Sequence, residues 1–342
     1  MSRLIRMTAW SPVFALYLHL AVPLPVKAQA WVPPRGEGYV WLGYQSMFLR
    51  HHLLGSGQKD DQGHIRSNSV LIGAEYGITD RLALRASIPY VASKYSLPPG
   101  ATKGRHFHDA QPIDDWSYHG FLQDFHFDLR YNALRDGVVL TPFFGMTVPS
   151  HRYPTFGHAN PGRRLREYQV GVNVGRQLRP FLPRAYVDLR FSQAFVQRIA
   201  DLNTDRSNAD IEVGYFLRPS LILRGFGGWQ KTYGGIERPF PEQYYYIHDR
   251  VWRAHYARAG GGVALSLTRS VDLYTGVITT LSGKNADAVT IIAGGVSWRF
   301  STRRVPEEES VGAARGESPY SKPMREKPTA AVLMVSSEPP IQ

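Results

Sequence analysis

The chain is 342 residues long, carries a formal net charge of +12 and contains no cysteine. The missing thiols exclude disulfide frameworks, Cys-ligated zinc, iron–sulfur clusters and thiol catalysis. Aromatic residues make up 12%, too many for a disordered chain, and 32 Gly with 24 Pro suit a protein with many turns. The mean hydropathy of −0.28 says little about membranes, because alternating polar and apolar residues average out.

Arg3 and Arg6 precede an uncharged stretch from Met7 to Val26; Pro23 and Pro25 interrupt it, and Ala28-Gln29-Ala30 offers the small-x-small pattern that signal peptidase reads. A positive start, an apolar centre and such a site define a secretory signal. The stretch is also long enough for one membrane-spanning helix, but the prolines and the cleavage site weigh against that reading. Residues 1–30 are read as a signal peptide and Trp31 as the first residue of an exported chain. Its removal takes away Arg3, Arg6 and Lys27 and no acid, so the charge falls from +12 to +9. Nucleic acid is not an expected partner, since acids are interleaved with bases from strand to strand instead of leaving one basic stripe. Of the 40 basic residues, 32 are Arg, which suits partly buried pairing better than Lys.

From residue 37 onward, segments of about ten residues alternate apolar and polar between turn residues, the pattern of membrane β-strands. In the segment Asp124 to Asn132, Phe125, Phe127, Leu129 and Tyr131 fall on one face and Asp124, His126, Asp128, Arg130 and Asn132 on the other. The alternation predicts twelve strands, at 37–50, 66–78, 81–94, 123–134, 137–150, 165–178, 184–197, 206–218, 220–232, 250–267, 270–281 and 286–300. The Gly260-Gly261-Gly262 run falls inside one of them, where it permits bending or close backbone approach. Short joints alternate with longer connections at 51–65, 95–122, 151–164, 198–205 and 233–249 and a short one at 282–285. An outer-membrane barrel has short periplasmic turns and long external loops, so both chain ends are expected on the periplasmic side. The expected fold is all-β: a closed antiparallel transmembrane meander barrel of about twelve strands over 31–302, with a disordered periplasmic tail over 303–342. The last strand ends in Val296-Ser297-Trp298-Arg299-Phe300, which resembles the signal that barrel-insertion machinery reads, although Phe300 is not the chain terminus.

The polar parity places Glu75, Arg85, Asp124, His126, Asp128, Arg130, Asp188, Arg190, Asp210, Glu212, Arg224, Arg258, Asp272 and Arg299 on the lumen side. Acids and bases on neighbouring strands can pair. Two readings of them stay open: a polar permeation path whose charges tune selectivity, or pairs that fill the interior. Eight strands give a filled barrel and sixteen a water channel, and twelve lies between.

The connection 95–122 holds His106, His108, Asp109, Asp114, Asp115 and His119. A His-x-His beside acids has donors for a divalent metal, but the spacing is loose and solvated loop residues are the expectation. Tyr244, Tyr245 and Tyr246 with Phe240 could stack on a ligand; an aromatic girdle at the outer interface is the expectation. No G-x-S-x-G, Walker or dinucleotide motif occurs. No cofactor is expected, and an outer-membrane lipid hydrolase or a closed structural or binding barrel stand as the alternatives to a passive channel.

The hairpin Glu75-Tyr76-Gly77-Ile78-Thr79-Asp80-Arg81-Leu82-Ala83-Leu84-Arg85-Ala86-Ser87-Ile88-Pro89-Tyr90 resembles one common in proteobacterial outer-membrane barrels associated with the meta-cleavage pathway of phenol degradation. Asp124 to Leu134, Pro142 to Pro149 and Gly260 to Phe300 are similar to that family's following segments. The resemblance implies an outer-membrane barrel passing small, often aromatic or apolar compounds, and brings no defined binding residues. The partners expected are outer-membrane lipid and lipopolysaccharide, the insertion machinery and an unidentified small solute.

Overall fold

The computed structural model describes residues 30–61, 63–97, 111–237 and 241–303. The expected signal peptide apart from Ala30, the expected tail apart from Arg303, and His106, His108, Asp109 and Phe240 lie outside them.

Twelve long strands run up and down: β1 Glu37–Leu53, β2 His64–Gly77, β3 Leu82–Ser96, β4 Asp124–Tyr131, β5 Val138–Pro149, β6 Glu167–Gln177, β7 Ala185–Val196, β8 Arg206–Arg218, β9 Leu221–Thr232, β10 His255–Ser266, β11 Val271–Lys284 and β12 Ala286–Ser301. Each pairs antiparallel with the next, and β12 returns to β1 over a ladder from Glu37↔Ser301 to Leu53↔Ala286. The sheet therefore closes, and no strand offers an unpaired edge to lipid, where a lone N–H or C=O would find no water. Two short strands not expected from the sequence pair alongside the long ones: Lys59–Asp60 with the end of β1, and His119–Leu122 with Tyr90–Ser93 of β3.

The alternation sorts side chains as strand geometry requires. Tyr39, Trp41, Met47 and Leu49 of β1 are buried inside, while Val40, Leu42 and Tyr44 face out. The outer wall keeps Ile72, Ile292 and Trp298 at 57%, 60% and 57% exposure. Aqueous exposure of so continuous an apolar belt would cost about 25 cal/mol per Å², so its medium is hydrocarbon. Aromatic rings rim the belt, with Tyr76, Tyr131, Tyr215 and Trp298 at one edge and Tyr90, Phe125, Tyr168, Phe195 and Trp229 at the other.

The turn at Thr79 and the turn at Thr268 share one construction. Each threonine hydroxyl accepts from two backbone N–H groups, those of Arg81 and Leu82 at 3.1 and 2.9 Å and those of Ser270 and Val271 at 3.1 and 3.0 Å. Both turns lie at the end where the chain enters and leaves, where the Thr302 N–H donates to the Gly36 carbonyl (2.7 Å). The glycine run allows close approach of β10 to β11: a Cβ on Gly260 would stand 2.0 Å from the Val277 carbonyl oxygen, and one on Gly262 2.3 Å from that of Thr275. The strand expected from residue 250 begins only at His255. Pro241 starts a 3-10 segment, Glu242–Arg250, which satisfies its own backbone and keeps residues 242–250 out of the ladder.

Candidate functional site in the barrel lumen

Three carboxylates toward the short-turn end share one arrangement, an arginine and a hydroxyl on the same group. Glu75 of β2 accepts from Arg130 of β4 (2.5 Å) and from the Tyr39 hydroxyl of β1 (2.6 Å). Glu212 of β8 receives both Nε and Nη2 of Arg224 at 3.0 and 2.5 Å, and the Tyr186 hydroxyl at 2.5 Å. Asp272 takes two contacts from Arg299 Nη2, at 2.8 and 2.9 Å, and one from the Ser266 hydroxyl at 2.6 Å. Charges withdrawn from water are expensive unless partners occupy their lone pairs and protons; here guanidinium and hydroxyl together serve the carboxylate oxygens, while the Arg130 Nε and Nη2 lie buried without a hydrogen-bond partner. Nearer mid-barrel, Arg190 of β7 reaches Asp128 of β4 (3.5 Å) and donates to Asn173 (3.4 Å), its guanidinium 3.7 Å from the Phe143 ring centroid. That contact spans two intervening strands and crosses part of the lumen.

The remaining expected lumen residues also lie on the inward face. Arg85 sits over the Trp41 ring at 4.8 Å and Arg258 over the Tyr256 ring at 4.1 Å. Asp210 is buried and faces Arg190 in the ladder. His126 bonds the Thr147 hydroxyl at 3.1 Å. Asp188 accepts from the Ala30 N–H at 2.7 Å. Asp124 accepts from the Tyr153 hydroxyl at 2.6 Å. Sequence reasoning missed the buried Glu167–Arg206 pair, which shares the inward parity but lies at the extreme strand ends. It also missed Tyr39 and Tyr186, which share the inward parity and whose hydroxyls donate to Glu75 and Glu212.

At the long-loop end, part of the chain packs inward. Residues 150–166, which include the connection expected as an external loop at 151–164, fold into the mouth and bury Tyr153, Ala159, Asn160 and Leu165. Ala159 joins an apolar collar of inward side chains: Met47 and Leu49 of β1, Ile65 of β2, Tyr95 of β3, Ile278 of β11, and Val289 and Ile291 of β12. Asp114 pins the tip by accepting from the backbone of His158 and Ala159, both at 2.8 Å, while the His158 ring stacks on Tyr95 at 4.0 Å. Arg163 and Arg250 clamp reciprocally, each Nε donating to the other's carbonyl at 3.0 and 2.9 Å. Two expectations are corrected here. Asp114 is not a solvated loop residue, because the inserted loop supplies buried N–H donors for it. Tyr245 does not join the membrane girdle, because its ring packs edge-on against Phe156 of the inserted loop, at 5.6 Å.

Asp115, Ser117 and His119 contain the residue types of a catalytic triad without its geometry. The His119 Nε2 meets both Asp115 Oδ1 (2.8 Å) and the Ser117 hydroxyl (3.2 Å), while that hydroxyl already donates to Asp115 (2.6 Å). A serine base uses one ring nitrogen for the nucleophile and the other for the carboxylate. Here a single nitrogen serves both, and the set closes a turn. The Ser117 hydroxyl first, then His119, hold the Asp115 carboxyl well below the usual carboxylate range.

At the opposite mouth, the chain enters at Ala30, whose carbonyl accepts from the Thr141 hydroxyl (2.5 Å) and the Asn132 amide (3.2 Å). Trp31 follows against Tyr186, Ile222 and Ala264. Described residues thus pack inside both ends of the lumen, with ion pairs between them.

A closed antiparallel cylinder with an apolar exterior and a charged, loop-filled interior defines a membrane-spanning β-barrel of the outer-membrane type. No family model and no curated protein matches the sequence. Among solved structures, the chain is similar in fold to the COG4313 outer membrane channel from Pseudomonas putida F1, with a TM-score of 0.61 at 14% identity, covering 80% of this chain and 98% of that one. Looser likenesses are the translocator domain of autotransporter NalP from Neisseria meningitidis (TM-score 0.45, 13% identity, 78% and 90% covered) and the toluene transporter TodX of P. putida (TM-score 0.39, 10% identity, 80% and 92% covered).

Proposed function

We propose that this chain is a passive outer-membrane channel for small apolar or aromatic molecules, with its short turns and both described chain ends in the periplasm. The observation that carries the reading is the apolar collar behind the inserted loop. Met47, Leu49, Ile65, Ile278, Val289 and Ile291 cluster around Ala159 on one side of the external mouth, so a solute that displaces the loop tip meets an apolar wall instead of a charged one. The resemblance to barrels of the phenol meta-cleavage pathway supports an aromatic solute, and the fold likeness to a Pseudomonas outer membrane channel supports passage. Transport by this route needs neither ATP nor a cofactor; the driving force is the solute gradient.

The deciding experiment is reconstitution of the processed protein in planar bilayers and in liposomes. Small, flickering ionic conductance together with accelerated uptake of a monoaromatic solute is expected. A protein that inserts fully yet leaves both ion flux and solute uptake at the level of empty membrane would remove the channel reading.

A further inference from the structure

The outer wall carries a feature the channel reading does not use. In the ladder joining β1, β2 and β3, Phe48 faces Arg66 and Arg66 faces Lys94, all with outward parity. Arg50 lies beside them at the bulge between Leu49 and His51. The Arg50 and Arg66 guanidiniums both lie over the Phe48 ring, at 5.6 and 5.1 Å, and the Lys94 ammonium lies over Tyr118 at 5.1 Å. His64 stacks parallel to Phe48, at 5.7 Å. Among the described residues, none of Arg50, Arg66 and Lys94 meets a carboxylate. Like charges placed directly opposite on neighbouring strands destabilise a sheet, so Arg66 against Lys94 is unfavourable until an anion lies between them.

Their height says which anion. Tyr76, facing Gly38 and stacked on Phe300, marks the lower edge of the apolar belt, and Phe48 lies ten residues further along β1. Ten residues at about 3.3 Å each, on strands tilted about 40°, rise about 25 Å, the height of a barrel's apolar band. The cations therefore stand at the level of the outer-leaflet headgroups, facing lipid, with aromatic faces beneath them.

We propose that Arg66 and Lys94, with Arg50 on the same ring, bind a phosphate of a phosphorylated outer-leaflet glycolipid of the lipid A type, whose acyl chains run down the wall past Val70, Ile72 and Leu42. A guanidinium and an ammonium converging on one phosphate satisfy two of its oxygens and remove the repulsion between the two cations. Phe48 and Tyr118 fix the direction of the three side chains by cation–π contact.

The test uses the processed protein in lipid-free detergent, with native mass spectrometry as readout and three probes: bis-phosphorylated lipid A, the same lipid dephosphorylated, and inorganic phosphate. The wild type should retain one bis-phosphorylated lipid. Affinity should fall at least tenfold in the R66Q/K94Q double variant and with the dephosphorylated lipid. K231Q, which removes a cation over Tyr233 on another sector of the wall, should bind as the wild type does. Failure of the wild type to hold the lipid, equal binding by R66Q/K94Q, or equal binding of the dephosphorylated lipid overturns the proposal. Displacement of the lipid by an equimolar amount of inorganic phosphate also overturns it, in favour of a free-anion site. Should the double variant fail to fold, the lipid series on the wild type alone still decides.

Discussion

At the scale of single residues, the interior is governed by the cost of leaving one charge behind. Glu75 and Arg130 are each almost wholly buried, at 0% and 1% exposure, and Tyr39 shares the carboxylate. Glu75→Gln keeps shape and volume but leaves the Arg130 charge without its counter-ion in a site closed to water. The expected loss of unfolding free energy is about 3–5 kcal/mol, the range for breaking a buried pair from one side. Denaturant titration of the barrel from lipid vesicles would measure it. Arg303 and Asp80 pair at 3.2 Å on the surface, and Asp80→Asn should cost about 1 kcal/mol or less in the same assay. An equal cost at both sites would show that burial does not set the energetics. The parity of the alternation gave the face on which Glu75, Arg130, Glu212 and Arg224 lie. It could not give their partners: Glu212 pairs with the adjacent strand, whereas Glu75 reaches past β3 to β4, and only barrel curvature decides between those choices.

At the scale of elements, the inserted segment 150–166 was the least legible part of the chain. Nothing periodic marks a loop that packs by its tip, and Ala159 is a small residue whose burial depends on a collar drawn from five strands. Its hold on the barrel runs through Tyr153, whose hydroxyl donates to Asp124 (2.6 Å) and accepts from the Arg164 N–H (2.9 Å). Tyr153→Phe strips the carboxylate of a buried donor and should weaken docking by about 1–3 kcal/mol. Faster limited proteolysis of this loop, with the strands intact, is the expected readout. A pH dependence follows from the same contact. Burial first, and the Asp124 charge second, push the Tyr153 phenol above its ordinary value of 10.0. A group raised on folding stabilises fully below its unfolded value and loses that contribution as pH climbs toward the folded one. The wild-type loop should therefore loosen progressively above pH 10, and the Phe variant, lacking the phenol, should lose this dependence. An identical alkaline profile in both proteins would assign the loosening to another group.

At the scale of the whole molecule, strand number and loop alternation were readable because both follow from the period of two and from turn chemistry, which are local. Packing inside the two mouths was not, since it depends on segments outside the sheet turning inward: 150–166 at one end, and Trp31 at the other. The two segments sit in series along one lumen, so their resistances add. Replacing 154–162 with a Gly/Ser linker of equal length frees the external mouth but leaves Trp31 against Tyr186, Ile222 and Ala264. Trp31→Gly loosens the other mouth and leaves Ala159 in its collar. Each change alone should raise single-channel conductance only modestly, because the untouched constriction continues to limit flow. Both together should raise it by more than the sum of the two single gains. Strictly additive gains would mean parallel paths through the barrel, and a loop replacement that alone gives full conductance would mean that the segment at Trp31 does not obstruct. Inward-facing charges of both signs are close to balance, with Glu75, Asp128, Glu212 and Asp272 set against Arg130, Arg190, Arg224 and Arg299. The opened pore should therefore separate small cations from small anions weakly, as reversal potentials in a salt gradient would record.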